Sequence, residues 1–86
     1  MKNETYPLPG NIYYHYKGGT YEIVSMATHT ETNEKLVVYK SLNFGSFYAR
    51  PFDVFSSKVE VEDELGNKSE VNRFEMDPYR FFLKFL

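Results

Sequence analysis

No cysteine occurs anywhere in this chain of 86 residues, and that pair of facts limits its fold more than any motif. A chain so short buries only roughly 60 to 65% of the surface it exposes when unfolded. Without disulfides or thiolate metal sites, its stability must come from large side chains. The chain has them: eight Tyr and eight Phe make 19% of its residues, and each ring buries on the order of 150 to 250 Å². One core and one domain over residues 1–86 are expected. The missing cysteines also fit a reducing compartment.

Charge narrows the function classes. The net charge is −2, and Lys and Arg are scattered from Lys2 to Lys84 with no run of three. No basic stripe for duplex phosphate can be read, so duplex DNA is not an expected partner. The opening residues lack an apolar run of signal-peptide length, and nowhere do 18 apolar residues follow one another. A cytoplasmic protein with no membrane partner is the expectation.

Turn residues divide the chain into short β-favouring runs. Leu8-Pro9-Gly10 opens a strand from Asn11 to Tyr16, and Lys17-Gly18-Gly19 reverses it. A second strand follows from Tyr21 to Thr28, then a polar turn from His29 to Asn33, then a third strand from Lys35 to Leu42. Pairing Met26 with Leu36 and Val24 with Val38 would also set Glu22 opposite Lys40, an opposite-charge cross-strand pair. In the first hairpin, Tyr16 facing Tyr21 would set His15 opposite Glu22. A short strand from Phe47 is cut by Pro51. Phe52 to Phe55 then suits one turn of 3₁₀ helix. Lys58 to Glu62 alternates as a fifth strand, Asp63 to Ser69 is a loop, and Val71 to Met76 returns as a sixth. The strands over 9–76 form the expected core of the domain.

Residues 77–86 form an apolar tail of a different kind. Asp77 suits a helix N-cap and Pro78 a first helical position, and Tyr79, Phe82, Leu83 and Leu86 follow helical spacing. Phe81 and Phe85 widen that face to about 200° at 100° per residue. Docking on one core needs only about 100°. The tail thus reads as a short C-terminal helix that caps the core or meets a second copy of the chain, with Tyr79, Phe81, Phe82, Phe85 and Leu86 as the contact.

No catalytic constellation emerges. His15 and His29 lie too far apart in these strands to share a metal, at roughly 23 Å along an extended chain. His29-Thr30-Glu31-Thr32 reads as a turn whose side chains serve their own backbone. Neither a metal nor another cofactor is implied, and an enzyme is the least favoured reading. Alternation places Tyr13, His15 and Lys17 on one face of the first strand. If Tyr14 and Tyr16 are core, these three join Tyr48 and Arg50 in an exposed aromatic and basic strip. Such a strip suits a binding module for a peptide, a nucleotide or single-stranded nucleic acid. Arg50 supplies a planar fork for carboxylate or phosphate.

Several spaced motifs occur in one order: Tyr14-His15-Tyr16-Lys17-Gly18 with Tyr21-Glu22-Ile23, then His29-Thr30-Glu31-Thr32 with Leu36-Val37-Val38-Tyr39, then Arg50-Pro51 and Phe55. Through them the chain resembles the bacterial family catalogued as domain of unknown function number 1653. Val59-Glu60-Val61 and Arg73-Phe74 extend the resemblance. It differs in having Tyr48 where the family usually has tryptophan, in a longer loop from Asp63 to Asn72, and in the tail after Glu75. The resemblance implies a bacterial source and a mainly β fold, a small SH3-like barrel of five to six antiparallel strands. It implies no activity.

Overall fold

A computed structural model of the chain describes residues 5–81. The element order is β1 (Asn11–His15), β2 (Thr20–Thr28), β3 (Lys35–Ser41), β4 (Phe47–Pro51), α1 (Phe52–Phe55), β5 (Lys58–Glu62), β6 (Lys68–Asn72) and β7 (Phe74–Phe81). These seven strands form two antiparallel sheets, one of five strands in the order β4-β3-β2-β1-β7 and one of two, β5-β6. The protein is mainly β, as its turn-punctuated runs imply.

Expected closure into a barrel is not found among the described residues, because no ladder joins the edge strands β4 and β7. The sheet is curled but open. Its curl brings Arg50 of β4 to 5.6 Å from the ring centre of Phe74 on β7. Phe55 of α1 stacks on that same ring at 4.1 Å and 10°. The turn at 52–55 is α-type rather than 3₁₀, since the Ser56 amide donates to the Phe52 carbonyl four residues back at 2.9 Å.

The registers show where local reasoning suffices. Glu22 does lie opposite Lys40, but Ser25 faces Val38 and Met26 faces Val37, because a bulge at Val24 shifts the ladder by one. The β1–β2 register also differs from expectation: Tyr13 faces Tyr21 and Tyr14 faces Thr20. Gly18 and Gly19 both take positive φ in the connection. A Cβ on Gly19 would stand 2.9 Å from the Tyr21 hydroxyl, so this turn needs glycine for space as well as for backbone angle.

The faces of β1 are the reverse of the expected ones. Tyr13 packs against the core cluster of Ile23, Val37, Tyr39, Phe55 and Phe74, while Tyr14 and Tyr16 are each 37% exposed. Val37, Tyr39 and Ser41 are the buried residues of β3.

The expected helix at the tail is a strand as far as Phe81. Asp77 does bind a nearby amide, accepting from Tyr79 N at 2.9 Å, but it also accepts from the Tyr14 hydroxyl at 2.6 Å. Between the pairs Tyr13–Met76 and Asn11–Phe81 the ladder shifts, so β7 carries three extra residues there. A bulged edge strand accommodates Pro78. Residues 82–86, with Phe82, Phe85 and Leu86 of the proposed contact, lie outside the described residues.

Candidate functional site

Five strands contribute to one cleft of about 220 Å³, lined by His15, Tyr21, Tyr39, Tyr48, Arg50 and Phe74. Its floor is aromatic. Tyr39 and Tyr48, paired across β3 and β4, lie 5.6 Å apart at 30°. Tyr21 meets Tyr39 edge-on at 5.3 Å and Phe74 at 5.8 Å, and the His15 ring meets Phe74 edge-on at 4.9 Å. Edge-to-face contacts of this kind fix ring orientations as well as fill volume.

Arg50 lies across this floor. Its Nε donates to the Tyr39 hydroxyl at 3.1 Å and its guanidinium sits over the Phe74 ring at 5.6 Å. Among the described residues neither Nη has a hydrogen-bond partner, and no carboxylate lies within ion-pair reach. The guanidinium is held from one side while its outer donors stay available.

Positive charge gathers around this point. His15 has its pKa lowered by partial burial first, then by the nearby Arg50, Arg73 and Lys17. Its Nδ1 accepts the Lys17 amide at 3.1 Å, which assigns the ring proton of the neutral form to Nε2. In a chain of net charge −2, three cations around one imidazole make a local field suited to an anion.

The structure therefore unites three of the five residues picked from the sequence, His15, Tyr48 and Arg50. Lys17 stands beyond the cleft with its Nζ over the Tyr16 ring at 5.8 Å, adding charge but no contact surface. Tyr13 is on the other side of the Phe55–Phe74 stack, edge-on to Phe55 at 5.2 Å. There it lines a separate cavity of about 400 Å³ with Phe52, Phe55 and Met76, and burial raises its pKa. Sequence reasoning missed Tyr21, Tyr39 and Phe74. The first two were within reach, since Tyr39 alternates with buried Val37 and Ser41, and the Glu22–Lys40 pairing carries Tyr21 to the neighbouring position.

His29 is a turn residue. Its Nδ1 accepts the amides of Glu31 at 3.2 Å and Thr32 at 3.4 Å, and Thr32 Oγ1 accepts the Glu34 amide at 3.3 Å. Among the described residues no group of three His, Cys, Asp or Glu side chains could hold a metal, and no helix is long and apolar enough to cross a membrane. Of the tail residues singled out from the sequence, Tyr79 is 92% exposed and the Phe81 backbone pairs with Asn11.

A family model described as Protein of unknown function (DUF1653) matches residues 11–76. The crystal structure of a DUF1653 protein from Bordetella bronchiseptica is similar at TM-score 0.61 and 27% identity, over 79% of this chain and 85% of that one. No curated protein matches the chain.

Proposed function

The chain belongs to this family of proteins of unknown function, and from that premise we propose that it is a non-catalytic binding module whose ligand enters the aromatic cleft at Arg50. The observation that carries the reading is the guanidinium itself, oriented by Tyr39 and Phe74 before any ligand arrives. Orientation in advance lowers the entropy cost of binding, and a planar fork favours carboxylate or phosphate. Ligand pockets for whole small molecules usually measure about 300 to 1,000 Å³. A cleft of about 220 Å³ suits one planar or anionic group of a larger partner. The lining offers no carboxylate, serine or threonine to act on it.

The curl of the sheet, with a helical turn between β4 and β5, supports an open variant of the SH3-like barrel. A bacterial source and a reducing, interior setting belong to the same proposal, in line with the family's member from Bordetella bronchiseptica and the missing cysteines.

Amide chemical-shift mapping with N-acetyl-glutamate, N-acetyl-tyrosine, phosphotyrosine and AMP tests the reading. Shifts at His15, Tyr48 and Arg50 are expected, with affinity about 10- to 100-fold weaker in Arg50→Gln, the size of a lost charged hydrogen bond. Shifts that avoid these residues, or equal binding by Arg50→Gln, would overturn it.

A further inference from the structure

Strand β4 is the edge of the five-stranded sheet, and its hydrogen-bonding pattern shows which backbone groups are free. The Ser41 amide donates to the Ser46 carbonyl at 2.8 Å, which makes Ser41–Ser46 a hydrogen-bonded pair. Antiparallel ladders alternate such pairs with non-bonded ones. Along the register Lys40–Phe47, Tyr39–Tyr48, Val38–Ala49, Val37–Arg50 and Leu36–Pro51, the backbones of Tyr48 and Arg50 therefore face β3. Those of Phe47, Ala49 and Pro51 face away from it. Pro51, which has no N–H, occupies an outward position where none is used.

Among the described residues no other segment gives or takes a backbone hydrogen bond at Phe47 or Ala49, and both residues are exposed. Strand edges of this kind accept an added strand, which supplies affinity through main-chain bonds and selectivity through alternate side chains. Tyr48 and Arg50, the cleft residues of β4, point their side chains to the opposite face from Phe47 and Ala49. A strand added one spacing away, ~4.8 Å, would bring every second side chain alongside them.

Resting on the reading of the cleft given above, we propose that the partner is an extended polypeptide segment that pairs with the free edge of β4 and sets an acidic side chain on Arg50. Two independent features converge on this choice. The edge offers amide and carbonyl groups in strand geometry, which a polypeptide matches and a nucleic acid backbone does not. The cations beside the cleft, Arg50, Arg73 and Lys17, have no carboxylate of a described residue in ion-pair reach, so an acidic residue is the complementary one. The net charge of −2 further disfavours a polyanion, whose affinity depends on many cations at once.

Selection of a random decapeptide display library on the full chain tests the inference, followed by shift mapping with the enriched peptides. Enrichment of an acidic residue between alternating β-branched or aromatic ones is expected, with shifts at the Phe47 and Ala49 amides as well as at His15 and Tyr48. N-methylation of the peptide amides that face β4 should weaken binding at least tenfold, and so should Ala49→Pro. Arg50→Glu should bind better to a peptide with Lys at the acidic position than to the parent peptide. Unchanged binding by the N-methylated peptide, with cleft shifts kept, would overturn strand addition and leave the cleft reading standing. The same holds if no peptide is enriched while N-acetyl-glutamate or AMP still binds, or if an oligothymidylate binds the cleft more tightly than any peptide. Peptide shifts confined to Phe47 and Ala49, with no effect of Arg50→Gln, would instead sink the cleft reading.

Discussion

The five-stranded sheet buries Ile23, Val37, Tyr39, Phe55 and Phe74, whereas no residue of the β5–β6 hairpin is fully buried. Among the described residues, Val59 of the hairpin faces Val71, the one ion pair joins Lys68 to Glu60 at 3.7 Å between well-exposed side chains, and β5 and β6 pair only with each other. A two-stranded hairpin alone is marginal in water, so its base matters. There Arg73 donates its amide to the Ser57 carbonyl at 3.0 Å and its Nε to Ser57 Oγ at 3.1 Å, while its own carbonyl accepts the Tyr16 amide at 3.0 Å. The radius of gyration, 14.4 Å, exceeds the ~12 Å of a compact chain this long, as expected if the hairpin extends from the body. The site occupies the region where aromatic packing is dense, whereas the hairpin is held at its base by polar contacts of Arg73 with Ser57 and Tyr16 and by the Asn72 side-chain amide, which donates to the Glu75 carboxylate at 3.0 Å.

The largest test of this contrast is Phe74→Ala, which removes the ring shared by Phe55, Tyr39, Tyr21, His15 and Arg50. A loss of about 3 to 5 kcal/mol in chemical denaturation is expected, with loss of the cleft. Val71→Ala in the hairpin should cost far less, and equal costs would break the comparison. Next in size is Arg73→Ala, which should cost about 1 kcal/mol and act locally. Hydrogen exchange should speed up at β5 and β6 amides while those of β2 and β3 stay protected. Uniform acceleration would show that the hairpin is part of the main cooperative unit.

The smallest effects separate the regions by pH. His15 has a lowered pKa when folded, so the unfolded chain takes up its proton more readily. Stability from this group is complete at neutral pH and falls as pH drops below about 6.5. Asp63, in the hairpin loop, has its pKa lowered chiefly by the Asn67 amide, with help from the Leu65 amide. Its contribution holds above the ordinary carboxylate value and is lost only as pH falls through the lower folded one. Acid titration followed by amide shifts should loosen the surroundings of His15 first and the Asp63 loop later. His15→Gln should remove the first step and leave the second.

How much of this was legible follows from how local each cause is. The Gly18-Gly19 reversal and the Glu22–Lys40 pair depend on neighbours in sequence or on one charge match, and both are found. The face of β1 was not readable, because Ile-Tyr-Tyr-His-Tyr has amphipathic rings at adjacent positions and no polar alternation. The bulge at Val24 leaves no mark in residue type. Asp77-Pro78 satisfies the local rules for a helix start, yet Asp77 binds Tyr14, 63 residues away, and no local rule contains that partner. Phe74 was missed as a cleft residue for the same reason, since its role depends on curvature that brings β7 under Arg50.

The pairing of β1 with β7 also bears on how the polypeptide is made. Its earliest strand finds its full second neighbour only once Phe74 to Phe81 have left the ribosome, roughly 4 to 14 seconds of synthesis after Asn11 at about 5 to 20 residues per second. Until then β1 can pair only with β2, and the ring that floors the cleft is absent. Such distant pairings slow folding, so the binding face should be the last part of the molecule to mature.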